Sequence, residues 1–111
     1  KRIDLVGPAP MWKKNLSSIL IETAWKNEAH GHVMPNRLSQ GLKPRLSQTD
    51  REMKDYAQRA GINFISVYDI LCEAGGCLAF VDEPHIDNLI AWDNGHFTVP
   101  GSNYVVSKFP P

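Results

Sequence analysis

The sequence has little of what would mark several large functional classes. No apolar run approaches the ~20 residues that a membrane-spanning helix needs, and no signal peptide opens the chain. Charge of neither sign prevails. Twelve basic residues cancel twelve acidic ones without forming a basic stripe, which argues against nucleic acid or an anionic membrane as the main partner. Cysteine is scarce, with Cys72 and Cys77 the only pair. A zinc site would need two further ligands at short spacing, and the nearest histidine, His85, comes alone, so no metal and no cofactor is expected. Internal repeats and low-complexity segments are missing. So is an initiating methionine: the chain opens at Lys1 and is expected to be cut from something longer.

What is present fits one domain or part of one. A chain of 111 residues can bury roughly two-thirds of its unfolded surface. "IDLVGPAP" (3–10) reads as a short buried strand that Pro8 and Pro10 turn into a loop. "WKKNLSSILIETAW" carries Trp12, Leu16, Ile19 or Leu20, and Thr23 at helical spacing. From Lys26 to Leu46 the period fails, and a loop of that length is functional or mobile in most compact domains. "SQTDREMKDYAQRAG" restores a helix. Ser47 or Thr49 is its expected cap, Asp50 and Glu52 its first-turn acids, Gly61 its C-terminal stop, and Met53, Tyr56, Ala57 and Ala60 its apolar face. "INFISV" (62–67) reads as a strand buried on both sides. "VYDILC" reads as a helical turn, and "CLAFV" and "NLIAW" as minor strands. "PGSNYVVSKF" reads as a closing helix that starts on a proline. This alternation predicts an α/β fold with a parallel sheet covered by helices. Two principal strands make a small sheet, so the missing ones are expected upstream of Lys1.

Chemistry concentrates in "WDNGHFTVPGS" (92–102). Asp93 and His96 are three apart on a predicted loop, a spacing that lets the carboxylate reach Nδ1, fix the tautomer and leave Nε2 as a base. A serine hydroxyl is a poor nucleophile until such a base takes its proton. The same spacing recurs in Asp82-Glu83-Pro84-His85, so spacing alone does not choose between them. The plain alternative for either is a capping Asp beside a polar loop histidine. The four residues between Cys72 and Cys77, including Gly75 and Gly76, let the chain fold back to disulfide distance. Closing so small a loop contributes only ~2 kcal/mol on the chain-entropy model, and two free thiols remain the alternative.

"WDNGHFTVPGSNYV" resembles the final motif block of SGNH (GDSL-type) hydrolases. It is more similar still to the SGNH domains at the C-terminus of acyltransferase-3 proteins, which O-acylate bacterial surface glycans. "LVGPAPMWKKNLSSIL" and "GINFISVYDILCEAGGCLAFVD" resemble that family's "GP.P.W...L" strand and its two-cysteine hairpin. The likeness covers about residues 3–109. It implies that the chain is the C-terminal portion of a three-layer α/β/α domain, with Asp93 and His96 the acid and base of a Ser-His-Asp triad and His85 a loop histidine. It implies a periplasmic or extracytoplasmic domain of a membrane-anchored bacterial parent, with an N-terminal multi-span acyltransferase domain as partner and a polysaccharide or acyl sugar as substrate. In that oxidising compartment Cys72 and Cys77 are expected to be bonded.

The family's nucleophile block "GDS" and its Gly-x-Asn-Asp block are both missing here. Ser102, six residues after His96, reads as a cap or first residue of the last helix. No nucleophile is therefore expected within this chain. Each absent oxyanion donor forfeits roughly 3–4 kcal/mol of transition-state stabilisation, so the chain alone is expected to be inactive and to need the upstream half of its domain. The reading from another class is a non-catalytic glycan-binding or interaction module on the same scaffold. Elsewhere, His30-Gly31-His32 reads as solvent-facing and the Arg37, Lys43 and Arg45 loop as a solvated basic loop. Trp12 is expected to pack the following helix, Trp25 to lie in the core, and Trp92 to buttress Asp93 from a buried position.

Overall fold

The computed structural model describes residues 1–27 and 31–111. Two strands, β1 (Asp4–Val6) and β3 (Asn63–Ile65), pair in parallel with Asp4 opposite Asn63, Leu5 opposite Phe64 and Val6 opposite Ile65. Between them come helix α1 (Leu16–Lys26), strand β2 (Arg37–Leu38) and helix α2 (Arg45–Ala60). After β3 follow α3 (Val67–Leu71), the hairpin β4 (Cys72–Glu73) and β5 (Gly76–Leu78), and α4 (Val99–Ser107). The expected α/β alternation with a parallel sheet is thus realised. A second, antiparallel sheet has the order β2-β5-β4.

Several expectations change in detail. The loop after α1 contributes β2, because Arg37 and Leu38 pair with Leu78 and Cys77. The Arg37 guanidinium also donates to Leu71 O (3.0 Å) and Gly76 O (3.1 Å) and pairs with Glu73 (3.0 Å). It braces the cysteine hairpin and does not extend into solvent. Helix α2 starts at Arg45, behind Pro44, whose φ of −76° is already helical. Ser47 and Thr49 consequently lie inside the helix, and their hydroxyls donate back to Pro44 O and Arg45 O. The buried face of α2 is also narrower than predicted: Tyr56 and Ala60 are exposed, Met53 is half-buried, and Ala57 and Asp50 are buried. Gly61 closes the helix as expected, left-handed at φ 70°.

"INFISV" yields three strand residues and is not buried on both faces. Asn63 is exposed and Phe64 half-buried, and Ser66 caps α3 by accepting the Asp69 N–H. Ile3 and Val6 of the β1 segment are exposed as well. The main core lies elsewhere, between α1, the hairpin, the 79–91 segment and α4. Trp12, Leu16, Leu20, Leu71, Phe80, Ile90 and Val105 meet there. Trp12 packs as expected, in the approach to α1 and not within the helix. "NLIAW" joins the structure through single bridges, Phe80 to Leu89 and Ala91 to Phe97, instead of a continuous strand. Cys72 and Cys77 face each other across the β4–β5 pair and are disulfide-bonded.

Asp50 is the one buried charged residue among the described positions. Its Oδ2 accepts the Ser66 hydroxyl at 2.6 Å, and its Oδ1 has no hydrogen-bond partner. Burial is the main reason its carboxyl is pushed above the ordinary range.

Candidate active site

The 92–97 loop is held from three sides before any side chain is considered. Ala91 bridges Phe97, and the Trp92 N–H donates to His96 O (3.1 Å), closing the loop on itself. On the second side, the chain leaving β1 docks onto it: the Trp12 N–H donates to Asn94 O (2.8 Å) and the Leu16 N–H to Asp93 O (3.0 Å). Helix α1 has no side-chain cap at Asn15; the Asp93 carbonyl takes over part of that role by accepting the Leu16 amide. On the third side, Thr98 is the N-cap of α4. Its hydroxyl accepts the Gly101 N–H (3.0 Å) and donates to Leu89 O. A Cβ at position 101 would overlap the Ile90 carbonyl, so only glycine lets the helix come this close. Thr98, and not Ser102, is therefore the cap.

Within that frame the Asp93 carboxylate is fully engaged. Oδ1 accepts the N–H groups of Gly95 (2.8 Å) and His96 (2.7 Å), and Oδ2 lies 2.6 Å from His96 Nδ1. The two backbone donors, Gly95 first, hold its pKa down to about 2. An ionised carboxylate only accepts, so Nδ1 carries a proton, and in the neutral ring the lone pair falls on Nε2. The His96 side chain is 75% exposed while that of Asp93 is 19% exposed. An anchored acid thus holds an open imidazole, an arrangement able to take a proton from an approaching hydroxyl.

The second Asp-x-x-His does not assemble. His85 Nδ1 accepts the Asp87 N–H (3.1 Å) and caps the short 3₁₀ turn Ile86–Asn88. Asp82 adopts φ 64°, and no hydrogen bond joins it to His85. Ser102 sits half-buried on α4, its N–H bonded to Thr98 O, and makes no hydrogen bond to His96. His30 and Glu28 lie outside the described residues. His32 donates from Nδ1 to Ala24 O (3.0 Å) and stacks on Trp25. Among the described residues no three His, Cys, Asp or Glu gather as metal ligands.

Two tryptophans depart from expectation. Trp25 is exposed, because α1 turns Leu16, Ile19, Leu20 and Ala24 inward and leaves position 25 outside. Trp92 is 64% exposed and stacks on the His96 ring, with centroids 5.4 Å apart and planes 21° apart. The sequence carried one sign of this second placement. Trp92 and His96 flank a tight loop, so their side chains leave the backbone at neighbouring positions.

An anchored carboxylate–imidazole pair, reached by the loop that leaves a parallel strand, thus sits in an α/β fold. The chain belongs to the SGNH domain family, described as fused to AT3 domains, which matches residues 1–111. Among solved structures it is similar to the periplasmic domain of a lipopolysaccharide acetyltransferase from Salmonella ser. Paratyphi A. The two are 33% identical with a TM-score of 0.83, over 97% of this chain and 40% of that one. The chain therefore spans less than half the length of its structural neighbour. No curated protein matches it.

Proposed function

We propose that this chain is the C-terminal portion of an SGNH acyl-transfer domain and supplies the acid and base of a Ser-His-Asp triad, Asp93 and His96. The observation that carries this reading is the 2.6 Å contact between Asp93 Oδ2 and Nδ1 of an otherwise open imidazole. Membership of a family fused to acyltransferase-3 domains and likeness to an acetyltransferase domain support acyl, and specifically acetyl, chemistry.

The nucleophilic serine and the oxyanion donors come from the upstream half of the domain. The second edge of β1 and the exposed Ile3 and Val6 suit cover from that half, since an open apolar strand invites pairing. Nε2 of His96 takes the serine proton as the oxygen attacks the acyl carbonyl. The tetrahedral intermediate collapses as His96 returns the proton to the leaving group. An acceptor sugar hydroxyl, or water, then gives its proton to the same nitrogen as its oxygen attacks the acyl-enzyme carbonyl. The second tetrahedral intermediate collapses with the acyl group on the acceptor and the proton returned from His96 to the serine oxygen. Throughout, Asp93 stays ionised and steadies the imidazolium. The parent is membrane-anchored and this domain acts on its extracytoplasmic side, where the Cys72–Cys77 bond is stable. The isolated chain is inactive.

The test is acyl transfer by the intact parent carrying His96→Ala beside His85→Ala. Loss in the first alone is the expected result. Equal activity in both would defeat the catalytic reading in favour of a binding module.

A further inference from the structure

Asp93 fixes one atom of the His96 ring. A single contact at Nδ1 leaves the imidazole free to tilt about that point, and a side chain 75% exposed has few protein atoms to stop it. The aromatic ring that meets its face is Trp92, at an offset-stacked distance of 5.4 Å. Trp92 is itself tied to the same turn, through its N–H to His96 O and the adjacent Ala91–Phe97 bridge. Its placement forgoes what a tryptophan ordinarily contributes to a core. Trp12 is 1% exposed and serves that purpose, whereas Trp92 is largely open. The Trp25–His32 pair has the same stacking (5.0 Å, 24°) but its Nδ1 rests on a backbone carbonyl. Stacking alone thus recurs in the chain, and among the described residues it coincides with an ionised carboxylate at position 96 alone.

We propose that Trp92 is a positioning residue for the base. Asp93 sets which nitrogen is free and where the ring is hinged, and the indole sets its plane, so that Nε2 keeps one direction toward the reacting hydroxyl. This rests on the reading of His96 as the base. Small errors of alignment are costly in proton transfer from a bound group, and an aromatic stack of this kind corresponds to a rate effect of about 3- to 10-fold.

The experiment compares the intact parent with Trp92→Ala, Trp92→Phe and His96→Ala, using p-nitrophenyl acetate turnover and thermal melting of each variant. Trp92→Ala is expected to lower kcat by about 3- to 10-fold with KM within about twofold and an unchanged Tm, and Trp92→Phe to restore kcat. An unchanged kcat in Trp92→Ala while His96→Ala is dead would overturn this inference alone. So would a rise in KM at constant kcat, which would make Trp92 a substrate contact, or a fall in Tm that tracks the loss of activity in both Trp92 variants. Wild-type turnover by His96→Ala would instead remove the catalytic reading beneath it.

Discussion

Asp93-Asn94-Gly95-His96 and Asp82-Glu83-Pro84-His85 share a spacing and share nothing else. In the first, the carboxylate turns back on its own loop, collects two backbone N–H groups and presents its second oxygen to the imidazole. In the second, the histidine bonds forward to the Asp87 amide and the aspartate stands apart. The difference is traceable to the third position. Gly95 donates an N–H to Asp93 Oδ1, whereas Pro84 has no N–H to give. Without that donor the carboxylate-centred turn loses its first hydrogen bond, and the four residues follow another path. A catalytic-looking spacing is therefore only as good as the backbone donors inside it.

That contrast can be broken at several strengths. The largest effect belongs to His96→Ala, expected to lower kcat in the intact parent by about 10³-fold or more, read by initial rates on an acyl ester. Asp93→Asn comes next, at about 10²-fold or more, because an amide at that position no longer dictates the Nδ1–H tautomer; a shifted His96 ring-nitrogen pattern in ¹⁵N NMR would accompany it. Gly95→Pro copies the unassembled motif into the assembled one. It is expected to cost about 10-fold in kcat and to raise the Asp93 pKa from about 2 toward its ordinary value, followed by carboxyl ¹³C titration. Because that pKa is depressed in the folded chain, the stability it confers is complete above the unfolded value of 3.8 and is lost as pH falls through about 2. Acid melting of Gly95→Pro should therefore show less of that low-pH loss. The smallest effect is His85→Ala, expected to leave kcat and KM within about twofold.

The sequence made much of this legible, and unevenly. Helical spacing located α1, because buried positions on a helix repeat whatever covers them. Gly61 announced the end of α2 through a conformation few other residues accept. The pair at 93 and 96 was set apart from that at 82 and 85 only by its family resemblance, since the backbone donors that close the first loop appear only once it is folded. Exposure was harder. Trp25 and Trp92 are apolar and look like core, yet which side of an element is covered depends on neighbours distant in the chain. Asp50 has the look of a first-turn acid and is instead buried against Ser66, because Pro44 starts the helix a turn and more earlier. Arg37 looked like a solvated loop cation and serves the hairpin, through carbonyls thirty or more residues away. Thr98 was visible within its motif, but its capping role depends on Gly101 lying against Ile90.

The most direct test is labelling of the intact parent with a serine-directed fluorophosphonate, followed by peptide mapping. The account predicts one modified serine upstream of residue 1, with labelling abolished by His96→Ala and retained by His85→Ala. Modification at Ser102, or equal labelling in the His96→Ala protein, would contradict it.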